Sequence, residues 1–284
     1  MKVTLEKINN AKVRPLKKVK PKDPRPIKGA NLFEVMTGNI FMAAKTQSGK
    51  TCNIGYIIEE TADKNTTIII FCSTVYNCES WESILKYCED EEIPFIVHQS
   101  MYNDEGKNEV EILLKDLEEE AKARKEEEQR QKEQRGRKRK EFPIILCDSD
   151  SDEEEDEKPK RKSKYRTPKY IVIFDDLADE IKCRCVANLL KKSRHYDMKV
   201  IISSQYYLDI AKGGRGQIYY YLVYGGFPEK TIDKIHEDSN VPISNELFYR
   251  LYRDATKEPY SFLYVSRTGE IRKNFERKYN IKED

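Results

Sequence analysis

Eight consecutive residues constrain the fold more than any other part of the chain: Ala44-Lys45-Thr46-Gln47-Ser48-Gly49-Lys50-Thr51. A short apolar run precedes them at residues 38–43, and isoleucines at helical spacing follow them in residues 49–61. A strand, a loop that ends in Gly-Lys-Thr and a helix, in this order, are the pattern of a P-loop. The backbone N–H groups of such a loop turn inward and hold phosphate oxygens, helped by the helix N-terminus. The sequence therefore predicts a nucleotide-binding loop over residues 44–51.

Each residue type in the loop has a chemical reason. Gly49 lets the backbone approach the ligand closely, Lys50 would reach the β- and γ-phosphates of ATP, and Thr51 would offer its hydroxyl to Mg²⁺. Ala44 stands where the usual pattern has its first glycine. Because alanine resists a positive φ, this departure would tighten the loop, weaken it or change its geometry. The alternative is a chance Gly-Lys-Thr sequence at the start of an ordinary helix.

The remaining apolar pattern predicts the fold class. Apolar runs of strand length lie at residues 38–43, 66–72, 94–98, 169–174, 200–203, 219–224 and 260–265. The continuous run at 66–72 has the pattern of a strand covered on both faces, and the run at 169–174 is another buried strand. Helical spacing or composition marks residues 49–61, 78–90, 109–117 and 178–194. Strands that alternate with helices indicate an α/β domain with a mainly parallel sheet flanked by helices. With the phosphate loop, this pattern predicts a P-loop NTPase of the RecA/ASCE type.

Two acidic residues follow a second buried strand, in the sequence Ile171-Val172-Ile173-Phe174-Asp175-Asp176. This is the form of a Walker B strand, and a parallel strand delivers its last side chains to the crevice where ligands bind. Asp175 would hold Mg²⁺, directly or through water, and Asp176 would orient and deprotonate the attacking water. The alternative is that one of the two aspartates only caps the following helix.

Two further polar residues are candidates for catalysis. Gln205 follows the strand that ends Ile201-Ile202-Ser203-Ser204, where it would sense the γ-phosphate or position water; an ordinary surface glutamine is the alternative. Arg215 lies in the glycine-rich sequence Gly213-Gly214-Arg215-Gly216. An arginine on such a loop suits an arginine finger that reaches the nucleotide of a neighbouring subunit, and an ordinary loop arginine is the alternative.

Charge is distributed unevenly, which predicts the domain organisation. Residues 1–30 are basic and contain several prolines, which prevent a long helix and indicate an N-terminal arm, either a solvated tail or a contact for nucleic acid or an acidic partner. Residues 31–284 are expected to form a single P-loop ATPase domain, interrupted by a charged insertion at about 106–166. From residue 118 onwards the insertion lacks the apolar surface that offsets ordering entropy, so it is expected to be disordered.

The insertion itself allows two interpretations. Its basic runs, residues 135–140 and 158–162, resemble nuclear-import or nucleic-acid patches, and Ser149 and Ser151 in the acidic block resemble phosphorylation sites. The alternative is a variable, solvated loop with no required role. The short apolar run 144–146 is the one part of the block with a weak tendency to dock.

The compartment is predicted from what the sequence lacks. There are seven cysteines, none in a C-x-x-C arrangement, which indicates reduced thiols; a metal site at Cys183-x-Cys185 is the less favoured alternative. The first residues lack the apolar core of a signal peptide, and no apolar run reaches the length of a membrane span. These features predict a soluble protein of the cytoplasm or nucleus, with no membrane partner. The net charge of +2 does not identify a partner.

Taken together, these motifs resemble the FtsK–HerA superfamily of genome-packaging ATPases found in large DNA viruses, virophages and Polinton-like elements, including the poxvirus type. The resemblance rests on the phosphate loop, Phe174-Asp175-Asp176, Ser203-Ser204-Gln205, Arg215 and the C-terminal residues 259–265 and 272–275. It covers about residues 31–105 and 167–275. Ala44 and the charged insertion depart from the family pattern.

The resemblance implies a Mg²⁺-dependent ATPase that drives double-stranded DNA into a viral capsid. Its implied partners are ATP, Mg²⁺, double-stranded DNA and capsid or portal-like vertex proteins, and it implies a homo-oligomeric ring with the nucleotide between subunits. The implied location is the host cytoplasm or nucleus, or the virion. Two alternatives stay open from the residues alone. One is another P-loop NTPase such as a helicase, and the other is a non-catalytic DNA-binding scaffold on a degenerate P-loop fold.

Overall fold

A single nine-stranded sheet organises the molecule in the computed structural model, which describes residues 23–141, 163–177 and 179–281. The strand order is β3-β2-β4-β5-β1-β6-β7-β8-β9. The strands are β1 (Asn39–Ala43), β2 (Thr67–Cys72), β3 (Phe95–His98), β4 (Tyr170–Asp175), β5 (Met198–Ser204), β6 (Ile218–Tyr224), β7 (Phe262–Ser266), β8 (Ile271–Lys273) and β9 (Arg277–Lys278). Strands β1 to β6 pair in parallel, and β7 to β9 add an antiparallel edge.

Helices cover both faces of this sheet. They are α1 (Lys50–Thr61), α2 (Glu79–Asp90), α3 (Glu109–Glu141), α4 (Arg184–Lys192), α5 (Lys212–Arg215), α6 (Glu229–Ser239) and α7 (Asn245–Ala255). Apolar residues of α1 and α2 form one core with one face of the sheet, and apolar residues of α3, α4, α6 and α7 form a second core on the other face. The central strands are buried along their whole length, as expected for parallel strands covered on both faces. The predicted α/β fold with a mainly parallel sheet is confirmed.

The strand order determines which side chains meet at the carboxyl edge of the sheet. The phosphate-loop strand β1 does not pair with the Walker B strand β4, because β5 lies between them and pairs with both. In this register Ala43 lies beside Ser204, and Ser203 lies beside Asp175. The ends of three strands therefore bring the phosphate loop, the two aspartates and the Ser203-Ser204-Gln205 sequence to one edge.

The prediction of disorder from residue 118 onwards is wrong for the first part of the insertion, because α3 continues to Glu141. Val110, Leu114 and Leu117 bury one stripe of its first turns in the core. Beyond them, charged pairs attach the helix to the domain: the Glu118 carboxylate bonds Lys192, and that of Glu120 bonds Lys169 at 3.0 Å. Three expectations lie outside the described residues, which stop at 141 and resume at 163: those for the acidic block, for the basic run at 158–162 and for residues 144–146. The basic run at 135–140 belongs to α3, but its side chains also lie outside the description.

The single helix expected over residues 178–194 is also wrong. A 3₁₀ turn (Glu180–Lys182) comes first, α4 follows, and a second 3₁₀ turn (Ser193–Tyr196) ends the segment. The break lies at Cys183, whose sulfur accepts a hydrogen bond from the Cys185 N–H at 3.2 Å and caps α4. The sulfur atoms of Cys183 and Cys185 lie in contact across this break.

The end of the N-terminal arm packs onto the domain. Ile27 forms a parallel bridge with Arg166, and the Arg25 guanidinium donates to the Ser163 carbonyl at 3.0 Å. These contacts join the arm to the returning end of the insertion at the amino side of the sheet. The division of the chain into an arm at residues 1–30 and one domain at residues 31–284 stays a prediction.

Among the helices of the described ranges, none combines the length and the apolar composition needed to cross a membrane.

Candidate functional site

The phosphate loop is placed by β1 and α1, and its backbone explains the alanine at its start. Gln47 and Gly49 have positive φ values of 63° and 82°, whereas Ala44 is not among the residues with positive φ. Ala44 is fully buried, and its N–H donates to the Ser204 carbonyl at 3.1 Å. The first position of this loop therefore does not need glycine, and the methyl group of Ala44 packs in the core instead of distorting the loop.

Lys50, the first residue of α1, lies at the centre of the site. Its ammonium group is 3.0 Å from Oδ1 of Asp175 and also bonds Oδ1 of Asp176. Burial by itself would lower the pKa of Lys50, but the two carboxylates outweigh burial and raise the pKa. The lysine therefore stays charged, and it neutralises two acids that would otherwise repel each other at the end of β4.

Asp175 has a second contact that the sequence did not reveal. Its Oδ2 accepts a hydrogen bond from the indole N–H of Trp81 at 3.2 Å, and both side chains are buried. Trp81 belongs to α2, and its helical spacing with other apolar residues indicated only a core position. A tryptophan in the core usually needs a partner for its N–H, and that requirement was the available signal.

Asp176 continues β4 with a left-handed backbone, at a φ of 55°. Its side chain is about one third exposed and turns towards Lys50, and its carbonyl accepts from the Ser73 hydroxyl at 3.4 Å. Neither aspartate caps a helix: the capping residue of the next 3₁₀ turn is Asp179, and that of α4 is Cys183. The capping alternative is therefore wrong. A non-glycine residue with positive φ at the end of a Walker B strand is backbone strain at a candidate site.

Gln205 meets the phosphate loop directly. Its Nε2 donates to the Thr46 hydroxyl at 3.2 Å, across the edge between β5 and β1. Ser204 fixes this turn, because its hydroxyl donates to the Asp209 carboxylate at 2.6 Å and accepts from the Tyr206 N–H. The side chain of Gln205 is exposed on its outer side, so it stands between the loop and solvent.

Arg215 is not brought to this group of residues in the way an arginine finger requires. It ends α5, its side chain is 10% exposed, and its Nε lies 3.1 Å from the Asp238 carboxylate in α6. The guanidinium also lies over the ring of Tyr207, 5.5 Å from the centroid. These contacts hold α5 against α6, so in this conformation Arg215 packs the domain and does not project towards a neighbouring molecule.

Two buried hydroxyls near the charged group bear on whether a metal and a nucleotide fit. Among the described residues, Ser203 Oγ and Ser48 Oγ have no hydrogen-bond partner. Ser48 lies in the phosphate loop, and Ser203 is the register neighbour of Asp175. Buried polar atoms are normally paired. These two, with the carboxylate of Asp175 and the hydroxyl of Thr51, the residue that follows Lys50, are oxygen donors of the kind that Mg²⁺ takes, and the residue types fit a metal–phosphate group.

A cavity of about 890 Å³ opens beside the same loop. Its lining includes Thr46 and Gln205, together with apolar residues such as Phe227 and Leu208. Lys45, Lys230 and Lys234 add positive charge, and Lys45 lies 5.9 Å from the Phe227 ring centroid. The carboxyl edge of the sheet, where the candidate site lies, is thus bordered by a basic and partly aromatic surface.

Similarity to known proteins was found at two levels. Residues 138–258 match the family described as Poxvirus A32 protein, a segment that includes Asp175, Asp176, Gln205 and Arg215 but not the phosphate loop. No curated protein shows significant similarity to the chain.

Three solved structures are similar in overall form. The genome packaging NTPase B204 of Sulfolobus turreted icosahedral virus 2, in complex with AMPPCP, is 15% identical with a TM-score of 0.48, over 84% of this chain and 97% of that one. The DNA-packaging ATPase B204 of Sulfolobus turreted icosahedral virus is 13% identical with a TM-score of 0.47, over 87% and 100%. The pCW3 conjugation coupling protein TcpA with ATPγS is 16% identical with a TM-score of 0.44, over 84% and 58%.

The family match begins before the Walker B strand and ends before β7. It therefore contains the two aspartates and the glutamine on which the resemblance was based, while the phosphate loop adds its own motif upstream. Over residues 138–258 the chain is thus similar to the Poxvirus A32 protein family.

Proposed function

We propose that the chain is an ATP-hydrolysing motor that moves double-stranded DNA into a viral capsid. The observation that carries the proposal is the group formed by Lys50, Asp175 and Asp176 at the carboxyl edge of the sheet, with Gln205 bonded to the phosphate loop beside it. This arrangement holds a cation, two acids and an amide where a loop of backbone N–H groups is built to take phosphate.

Binding of ATP would begin with a competition for Lys50. The ammonium group is shared by two carboxylates. The β- and γ-phosphates carry more negative charge than those two acids, and the phosphate loop places them next to α1. Lys50 would then bond the phosphates through a charge-assisted hydrogen bond and release the aspartates for other contacts. Residues 44–51 supply the surrounding backbone donors.

Mg²⁺ would be held by Thr51 and Asp175, with Ser203 close by. The ion would supply neutralisation of charge on the phosphate oxygens. Asp175 is suited to this position because it is buried at the end of β4 and its orientation is fixed by two partners.

Hydrolysis needs a group that orients and deprotonates water, and we assign this to Asp176. It is more exposed than Asp175, and its strained backbone turns its carboxylate towards Lys50. Gln205, at the loop, would contact the γ-phosphate or the attacking water. Arg215 is assigned to packing, since its pairing with Asp238 would have to break before it reached another subunit.

The remaining parts of the proposal rest on the resemblance to packaging ATPases. They are translocation of double-stranded DNA, assembly into a homo-oligomeric ring, and contact with capsid or portal-like vertex proteins in the host cytoplasm or nucleus, or in the virion. A ring would let each copy present a few lysines to the DNA backbone, which a chain of net charge +2 needs for useful affinity.

Steady-state ATP hydrolysis with and without double-stranded DNA tests the proposal, measured together with the oligomeric mass. Wild-type protein should hydrolyse ATP faster when DNA is added. Lys50→Ala should lose ATP binding, and Asp176→Asn should keep binding but lose at least about 100-fold in rate. Full hydrolysis in both variants would refute the assigned site. Strand displacement without any capsid association would favour a helicase.

A further inference from the structure

We propose that Trp81 is a positioning residue for the Asp175 carboxylate, and that it holds this carboxylate in the orientation that presents one oxygen to the metal–nucleotide site. The proposal rests on the proposed function, because it concerns the same metal-binding carboxylate. It adds a residue from α2, outside the phosphate loop and the Walker B strand, to the residues that set up the site.

The two oxygens of Asp175 have different partners. Oδ2 accepts the indole N–H of Trp81 at 3.2 Å, on the side of α2, and Oδ1 lies 3.0 Å from the Lys50 ammonium group, on the side of the phosphate loop. The carboxylate is 2% exposed. Rotation of this group would break both contacts inside a region from which water is excluded. The geometry therefore assigns Oδ1 to the site and Oδ2 to the core.

Trp81 is held well enough to act as this anchor. Its side chain is fully buried in the core that α1 and α2 share, and its backbone N–H bonds the Cys78 carbonyl at 2.9 Å in the first turn of α2. One turn further along α2, the Ile84 side chain packs closely against Gly55 of α1, where a larger residue would crowd it. The indole N–H is only a donor and cannot change its role, so its sole available function towards Asp175 is to hold an acceptor oxygen.

Fixing Oδ2 has a consequence when Lys50 transfers to phosphate. Oδ1 then loses its cation, and without the indole the carboxylate would be free to turn either oxygen away. With Oδ2 held, Oδ1 stays where Lys50 left it. Removal of a residue that holds a metal ligand in place typically lowers the metal affinity by about 10- to 100-fold.

A purely structural role is the competing interpretation, since a buried tryptophan needs an acceptor wherever it lies. The two roles predict different results for the metal-dependent part of nucleotide binding. Loss of packing lowers the stability of α2 and leaves the metal dependence unchanged. Loss of positioning weakens binding in the presence of Mg²⁺ and leaves metal-free binding unchanged.

The experiment compares Trp81→Phe with Ile84→Ala in the full chain. Ile84→Ala removes packing from the same face of α2 without touching Asp175. Equilibrium affinity for a fluorescent ATP analogue is measured by anisotropy in Mg²⁺ and in EDTA, and thermal unfolding is recorded for each protein. In Trp81→Phe the ratio of the affinity in Mg²⁺ to the affinity in EDTA should fall about tenfold, with the affinity in EDTA unchanged. In Ile84→Ala the ratio should equal that of the wild type despite a lower unfolding temperature.

Two outcomes would overturn the inference alone: an unchanged ratio in Trp81→Phe, or an equal fall of the ratio in Ile84→Ala. Failure of the wild-type protein to bind the analogue in either condition would instead overturn the proposed function, and the inference with it. The two failures are therefore distinguishable in the same set of measurements.

Discussion

Arg215 is the residue whose predicted role and observed place differ most. Its guanidinium pairs with Asp238 and lies over Tyr207, so we expect Arg215→Ala to lower the free energy of unfolding by about 2 kcal/mol, because a partly buried carboxylate is left without its cation. Asp238→Ala should cost a similar amount, since it breaks the same pair. Chemical denaturation of both variants measures this. Wild-type stability in Arg215→Ala, together with lost hydrolysis, would restore the arginine finger.

Lys199 is a second residue with a measurable effect, through pH. It is fully buried on β5 with its ammonium 4.5 Å from the Phe33 ring centroid, and among the described residues it has no hydrogen-bond partner. Burial lowers its pKa from 10.5 to about 7. Between these values the unfolded chain binds more protons than the folded one, so the contribution of Lys199 to stability rises with pH. It is least favourable below about pH 7, where the buried amine is charged.

Replacement by an apolar residue of similar length tests this contribution. Lys199→Met should raise the free energy of unfolding at neutral pH by about 2 kcal/mol, and its advantage over the wild type should shrink as the pH rises from about 7 towards 9. Lys107→Met, at an exposed lysine, should change neither the free energy of unfolding at neutral pH nor its dependence on pH. Denaturation curves at several pH values provide the comparison. An advantage that stays constant with pH would contradict the lowered pKa.

Part of the site could be predicted from residue types, and part could not. The meeting of the phosphate loop, the two aspartates and Gln205 at one edge was predictable, because strand ends in a parallel sheet lie together. The tolerance of Ala44 depends on the φ of that residue, which no residue type reveals. The burial of Arg215 depends on Asp238, which is distant in sequence and belongs to a helix the pattern did not indicate. The contacts of Trp81 and Lys50 with the aspartates could not be predicted, because they depend on how α1 and α2 pack against β4.

At the scale of elements, the first part of α3 is the part of the insertion that packs on the domain. Its first turns bury Val110, Leu114 and Leu117, and its charged pairs extend to Glu120. Replacing residues 128–160 with a short flexible linker should therefore leave ATP hydrolysis within about twofold of the wild-type rate. The assay is steady-state hydrolysis at equal protein concentration. A rate reduced by more than about tenfold in a stably folded protein would show that this segment takes part in turnover.

A matched variant in the packed part of α3 gives the contrast. Leu117→Ala removes a buried side chain and should cost about 2–4 kcal/mol of unfolding free energy. Thermal unfolding of this variant beside the linker variant separates the two parts of the helix. Equal stability of both variants would contradict the assignment of residues 109–120 to the core.

The elements themselves were predicted unevenly, for physical reasons. Strands β1 to β6 were found from apolar runs, and in β1, β2, β4, β5 and β6 the two covered faces explain that pattern. Strand β3 lies at the edge of the sheet and is only partly buried. Helices α6 and α7 were missed although signals existed: Ser244 caps α7 by accepting from the Leu247 N–H at 3.2 Å, and Phe248 and Tyr252 follow at helical spacing. The extent of α3 could not be inferred, because the ion pairs that attach it to Lys169 and Lys192 are long-range.

At the scale of the whole molecule, one sheet gathers the site from three separate regions of sequence. The insertion of β5 between β1 and β4 places Gln205 between the phosphate loop and the aspartates. The antiparallel edge of β7 to β9 closes the sheet beyond β6. One copy thus brings together the groups to which we assign ATP hydrolysis, and the ring that we propose would couple that hydrolysis to DNA.

Displacement of a third strand from a DNA triplex tests that coupling most directly. The protein is incubated with linear duplex carrying a labelled third strand, and release of that strand is followed over time. We expect release with ATP and Mg²⁺, and none with a non-hydrolysable ATP analogue or with Lys50→Ala. ATP hydrolysis at the same rate with and without DNA, with the third strand left in place, would contradict this coupling.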